Sequence, residues 1–393
     1  MTKFTFPLAT SSWDEREYAA IQRVIDSGNF TMGREVEAFE HQFAKAMGAR
    51  FAVMANSGSS ANLLAIAALR YHSSARINPG DEVIVPAVSW STTYYPLYQY
   101  GLKIKFVDID AKTLNMDLEQ LKSAIGDKTR AILAVNLLGN PNDFVVIKDI
   151  IAGRDILLIE DNCESLGAKL NGRQAGTFGL AGSYSAFFSH HISTMEGGMV
   201  VTEDEELYHI MLSLRAHGWT RDLPKENHVT GIKDDDPFRE SFRFVLPGYN
   251  LRPLEMSGAI GQEQIEKLPM IVRSRRENAE LFREVMADFP DISIQRETGE
   301  SSWFGFSMII AQASNISRKT LVAALDRNGI ESRPVVAGNF ANNEVVKRHM
   351  DHEIHGDLVN ADLVDQNGLF IGNHHYPLDR QMELLHKTLK EVL

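Results

Sequence analysis

The sequence predicts an α/β chain: a large domain on a mostly parallel sheet with helices on both faces, then a smaller C-terminal α/β domain. Two observations carry this. Short apolar runs of strand length alternate with amphipathic helical stretches over the first two thirds of the chain, the pattern of β-α-β crossovers. From Pro253 onward the periodicity becomes that of long helices. The expected division is therefore residues 1–250, with an N-terminal arm to about residue 35, and residues 251–393, connecting helices plus the smaller domain.

In chain order, strands are expected at Phe51-Ala-Val-Met-Ala, Glu82-Val-Ile-Val, Ile104-Lys-Phe-Val-Asp, Ala131-Ile-Leu-Ala-Val, Ile156-Leu-Leu-Ile-Glu, Tyr184-Ser-Ala-Phe-Phe and Gly198-Met-Val-Val-Thr, each apolar and bounded by turn residues. Amphipathic stretches such as Asp117-Leu-Glu-Gln-Leu-Lys-Ser-Ala-Ile and Phe144-Val-Val-Ile-Lys-Asp-Ile-Ile fill the gaps. Two helices should follow, Leu254 to Leu268 and Met270 to Phe289, broken at Pro269 because proline has no N–H to give the helix. The remainder reads as Ile292-Ser-Ile, the run Trp303-Phe-Gly-Phe-Ser-Met-Ile-Ile, a helix Lys319 to Asn328 and a final helix from Arg380. Lys233-Asp-Asp-Asp-Pro reads as a solvated loop.

Composition narrows the function. The 393 residues carry a formal net charge of −12, which disfavours non-specific binding to nucleic acid or an anionic membrane. No apolar run approaches membrane-spanning length, and the start, Met1-Thr-Lys-Phe-Thr-Phe-Pro, lacks a signal-peptide core, so a cytoplasmic protein is expected. Cys163 is the single cysteine, which forbids an internal disulfide and a four-cysteine iron–sulfur cluster within one chain.

Three segments carry chemistry. Asn56-Ser57-Gly58-Ser59-Ser60, between a strand and a helix, offers backbone N–H groups and the positive end of a helix dipole to a phosphate; the same residues would also make an N-cap and a turn. In Leu158-Ile-Glu160-Asp161-Asn-Cys-Glu164-Ser an acidic pair ends an apolar strand, where open α/β sheets place their ligands; a helix cap is the plainer reading. Trp90, in Pro86-Ala-Val-Ser-Trp, can stack on a planar ring or pack in the core.

In this order, and followed by Ser185-Ala-Phe-Phe-Ser-His190, these segments resemble the fold-type I pyridoxal phosphate enzymes with an aspartate aminotransferase-like fold, and within them the nucleotide-sugar aminotransferase family. The resemblance continues through Arg215-Ala-His217-Gly-Trp-Thr-Arg221 and Gly248-Tyr-Asn250-Leu-Arg-Pro-Leu-Glu255, so it spans nearly the whole chain. It implies that Gly58, Ser59 and Ser185 cradle the cofactor phosphate, Trp90 stacks on its ring and Asp161 pairs with its pyridine nitrogen. It also implies that Asn250 reaches the phosphate from a neighbouring subunit, making a homodimer with shared active sites.

Two positions depart from the aminotransferase pattern. His190 stands six residues before Glu196-Gly-Gly, where the family has its cofactor lysine, and no lysine occurs between Lys169 and Lys225. Glu164 stands where glutamine is common. Imidazole cannot hold pyridoxal phosphate as a Schiff base, so the cofactor should rest as pyridoxamine phosphate or unattached pyridoxal phosphate. Both departures resemble the branch of the family that deoxygenates GDP-4-keto-6-deoxy-D-mannose at C3 with L-glutamate as the amine source, giving 2-oxoglutarate and ammonia. There, His190 would move the protons. A related branch acting on CDP-sugars uses an iron–sulfur cluster, whose ligands Cys163 alone cannot supply.

His217, Trp303 and Arg333 are candidate substrate contacts, with a structural histidine, a core indole and a surface charge as the plainer readings. The competing functions are a nucleotide-sugar 4-aminotransferase drawing on Lys225 or Lys233, and a non-catalytic cofactor-binding relative.

Overall fold

In the computed structural model, which describes residues 4–392, two sheets carry the architecture. The larger is built from β1 (Phe51–Ala55), β2 (Glu82–Pro86), β3 (Lys103–Val107), β4 (Thr129–Val135), β5 (Leu157–Asp161), β6 (Ala181–Ser185) and β7 (Gly198–Thr202). The smaller takes β8 (Ile292–Ser293), β9 (Gly305–Ile310) and β10 (Ser332–Arg333); β11 (His352–Ile354) returns to the larger sheet, and β12 (Gly368–Gly372) completes the smaller. The larger sheet runs in the order β1-β7-β6-β5-β4-β2-β3-β11, and the smaller in the order β8-β9-β12-β10.

The larger sheet is parallel except at β7, which pairs antiparallel with β1 and β6. Its inner strands are buried on both faces, as their continuous apolar runs require. The carboxyl ends of β1, β2, β5 and β6 therefore share one edge. Val135 of β4 stands beside Asp161 of β5, and Asp161 beside Ser183 of β6, which brings the acidic strand end to the middle of that edge.

Three expectations need correction. Pro269 does not break a helix: residues Glu255–Met286 form one helix with the proline inside. Proline removes one backbone bond, and packing along the rest of the helix outweighs that loss. The helices Glu15–Ser27 and Arg34–Met47 lie against it so closely that a Cβ on Gly258 would stand 2.6 Å from the Val36 backbone. Second, the strand expected over Tyr184 to Phe188 ends at Ser185, and Phe187 and Phe188 lie exposed in the turn that follows. Third, the two units are threaded through each other rather than divided cleanly near residue 250. Phe6 is buried in the smaller unit's core with Phe282 and Phe306, while β11 pairs in parallel with β3 at the edge of the larger sheet.

Among the described residues no helix is long and apolar enough to cross a membrane.

Candidate active site

The turn after β1 forms the first wall of the site. Ser57 caps the helix Gly58–Leu69, its Oγ accepting from the Ser60 N–H at 3.1 Å, and no acidic residue stands in the first turn to occupy the dipole's positive end. Gly58 is obligatory for packing. A Cβ there would lie 2.6 Å from the Ser185 Cβ and 3.2 Å from the Cys163 Sγ, so this turn, the end of β6 and the residues after β5 converge on one spot. Ser59 Oγ donates to Thr92 Oγ1 at 2.9 Å, tying the turn to the helix Ser91–Gln99. Gly58→Ala should therefore push Ser185 away and weaken pyridoxamine phosphate binding at least ~10-fold with little loss of secondary structure, which a fluorescence titration of the cofactor would read.

Trp90 precedes that helix with 57% of its surface exposed, so its indole is available as a stacking surface and is not core. Asp161 is held rigidly by donors. Its Oδ2 accepts from Asn62 Nδ2 at 2.8 Å and Thr93 Oγ1 at 2.7 Å, and its Oδ1 accepts from the Cys163 N–H at 3.1 Å. A carboxylate has about four acceptor positions, so Oδ1 retains one for a further donor.

The two adjacent histidines have different surroundings. His191 is buried and its Nε2 pairs with the Ser302 carbonyl at 3.0 Å, so it faces the core. His190 is partly exposed, with its ring 5.1 Å from that of Phe304 and its Nδ1 buried without a partner. Burial, reinforced by the Arg275 charge, lowers its pKa from about 6.5 to about 4, so it is neutral at pH 7 and able to accept a proton.

Glu164 Oε2 accepts from the Leu138 N–H at 3.0 Å; burial, with the Asp161 charge adding, raises its pKa to about 7. Asn250 is exposed and accepts from Arg252 Nε at 3.0 Å, while the carbonyl of its neighbour Leu251 accepts from Asn56 N at 2.9 Å. His217 adopts a left-handed backbone with φ of 64° and donates its N–H to the Tyr249 carbonyl. Arg333 is exposed on β10 opposite Phe370, whose ring is 6.5 Å from Phe304.

Trp303 is placed otherwise than the sequence reading expected. It is 1% exposed, its indole N–H donates to Glu297 Oε1 at 3.0 Å, and its ring packs in the smaller unit's core, which leaves it no surface for a substrate. Lys225 pairs with Asp235 at 2.8 Å, and Lys233 donates to the carbonyls of Arg221 and Leu223, so both lysines are engaged in their own loop. Sequence reasoning missed Asn62 and Thr93, the residues that orient Asp161. Asn62 had a signal, being the last polar residue before the apolar run Leu63–Leu69 of its helix.

A phosphate-sized anion suits the helix start at Gly58 and Ser59, a protonated ring nitrogen suits the free acceptor position on Asp161, and a planar ring suits the exposed Trp90. The residues fit pyridoxal phosphate or its amine form. This site on this fold defines a pyridoxal phosphate enzyme without a cofactor lysine. The chain belongs to the DegT/DnrJ/EryC1/StrS aminotransferase family, whose model matches residues 11–379. It is 60% identical to GDP-4-keto-6-deoxy-D-mannose 3-dehydratase of Yersinia pseudotuberculosis, over 98% of this chain and 98% of that one. A solved structure of the E. coli GDP-4-keto-6-deoxy-D-mannose-3-dehydratase with bound hydrated PLP superposes with a TM-score of 0.97 at 59% identity, covering 98% of this chain and 100% of the other. A variant of GDP-4-keto-6-deoxymannose-3-dehydratase with bound GDP-perosamine gives 0.96 at 60% identity, covering 98% of this chain and 100% of the other.

Proposed function

We propose that this protein removes the C3 hydroxyl of GDP-4-keto-6-deoxy-D-mannose, giving GDP-4-keto-3,6-dideoxy-D-mannose, with L-glutamate restoring the cofactor amine and ammonia released. The observation that carries the reading is His190, a neutral imidazole at the lysine position of an otherwise complete cofactor cradle. Pyridoxamine phosphate, when bound, would supply an amine for the sugar's C4 ketone and a ring that accepts electrons.

The chain's own groups do the rest. Gly58, Ser59 and Ser185 would hold the phosphate at the helix start, and Asn250 of a second subunit would close over it. Asp161, fixed by Asn62 and Thr93, would hold a proton on the ring nitrogen and keep the ring electron-poor. Trp90 would fix the ring plane, and Glu164, beside Asp161, would lie at the ring's edge. His190 would take a proton through Nε2 and return it, its position on a loop against Phe304 limiting where that proton can go. With histidine at position 190, the lysine position of the family offers no amine to compete for the cofactor aldehyde. His217 and Arg333 remain candidates for contact with the nucleotide sugar.

With the purified protein, turnover of the GDP-sugar should require L-glutamate and no electron donor, and 2-oxoglutarate should accumulate in step with the dideoxy product. Mass spectrometry of the sugar nucleotide and an enzymatic assay for 2-oxoglutarate would check this. A requirement for a reductase, or an aminated sugar as product, would refute the reading.

A further inference from the structure

A cation without a partner charge lies beneath the His190 loop. Arg275, within the helix Glu255–Met286, is 6% exposed; its Nη1 donates to the carbonyls of Trp303 at 3.3 Å and Phe304 at 2.9 Å, and its Nε is buried with no partner. Other buried cations of the fold are compensated: Arg215 by Glu40, Lys267 by Glu17 and Lys105 by Glu82. Arg275 forms no such pair among the described residues, and burial lowers its own pKa to about 10. An uncompensated buried charge is costly, so a fold that keeps one invites a reason beyond stability.

Its surroundings supply that reason. The Phe304 carbonyl it holds belongs to the residue whose ring lies 5.1 Å from His190. Its charge acts on His190 and His191 of the loop and on His374 and His375 following β12; Lys267 adds its charge at His375, and no carboxylate acts on any of the four among the described residues. In all four imidazoles burial disfavours the charged form most, and the Arg275 charge adds to it.

We propose that Arg275 is a positioning residue for the proton transfer: its carbonyl bonds fix the Trp303–Phe304 segment against which the His190 imidazole rests, and its unpaired charge adds to what burial already does at that imidazole. This rests on His190 being the proton-moving group of the proposed dehydration, but the charge effect is measurable without the reaction.

The full-length chain with 13C-labelled histidine, His190 assigned through His190→Asn, would be titrated by NMR as the unaltered protein, Arg275→Gln and Arg275→Lys. Arg275→Gln should raise the His190 midpoint by about one unit, a tenfold rise in protonation at a given pH, and Arg275→Lys should restore it towards the unaltered value. The acid limb of kcat for the glutamate half-reaction should move upward with it, KM for glutamate staying level. An unchanged midpoint in Arg275→Gln overturns the proposal, whether or not KM rises. So does a midpoint at or above the ordinary ~6.5 in the unaltered protein, which decides the matter even if Arg275→Gln does not fold. A shifted midpoint in a protein that never dehydrates the sugar would support the charge effect and sink the proposed function instead.

Discussion

His190→Lys is expected to capture pyridoxal phosphate covalently, visible as a mass increase of the intact chain after borohydride reduction, and to lower dehydration by ~10²-fold or more. The site is prepared for such an amine. The imidazole makes no side-chain hydrogen bond that the substitution would break, and burial with the Arg275 charge, which holds His190 neutral, would also favour an uncharged, nucleophilic lysine. The captured aldehyde would then be withdrawn from the free amine form that the sugar needs. His191→Lys should behave differently, because that side chain points at the Ser302 carbonyl inside the core; it should destabilise the fold and attach nothing. Attachment at 191 and not at 190 would mean that the wrong histidine has been assigned to the cofactor.

Asp161→Asn should slow both the dehydration and the glutamate half-reaction by ~10²–10³-fold, since a neutral amide stabilises a protonated ring nitrogen poorly. Three donors converge on the native carboxylate, and the amide has a single acceptor oxygen, so at least one of the Asn62, Thr93 and Cys163 bonds must be lost. The fold should lose ~1–2 kcal/mol and remain folded. Stopped-flow traces of each half-reaction, with thermal unfolding as the control, separate the two effects. Near-normal rates in both halves would show Asp161 to be a cap of its own turn and nothing more.

Much of this was legible because the evidence was local. Most of the apolar runs marked strands of the large sheet to within two residues, although the run from Tyr184 was set three residues late and β11 was not foreseen, and the spacing from His190 to Glu196-Gly-Gly selected the partly exposed histidine over the one that faces the core. What escaped depended on contacts between distant segments. Pro269 reads as a break in any local window, and only the helices packed beside it keep the long helix whole. Trp303 looks like a recognition residue until the fold places Glu297 at its indole nitrogen. Arg275 is one of many basic residues on an amphipathic helix, and its lack of a counter-charge exists only once Trp303 and Phe304 have closed over it.

The return of β11 to the edge of the large sheet bears on how the chain is made. Lys103 and Glu353, bonded at 2.5 Å across that edge, are 250 residues apart in sequence, and Phe6 waits for Gly329 and Ile330 before it is covered. On the ribosome, β3 emerges well before its partner and stays an open edge, its backbone groups available to any passing strand, until Ile354 has been synthesised. Nascent chains of this protein should therefore depend on chaperones that shield such edges. A C-terminal truncation that removes Ile354 should fray the cofactor-bearing sheet itself, far from the cut in function though adjacent to it in space.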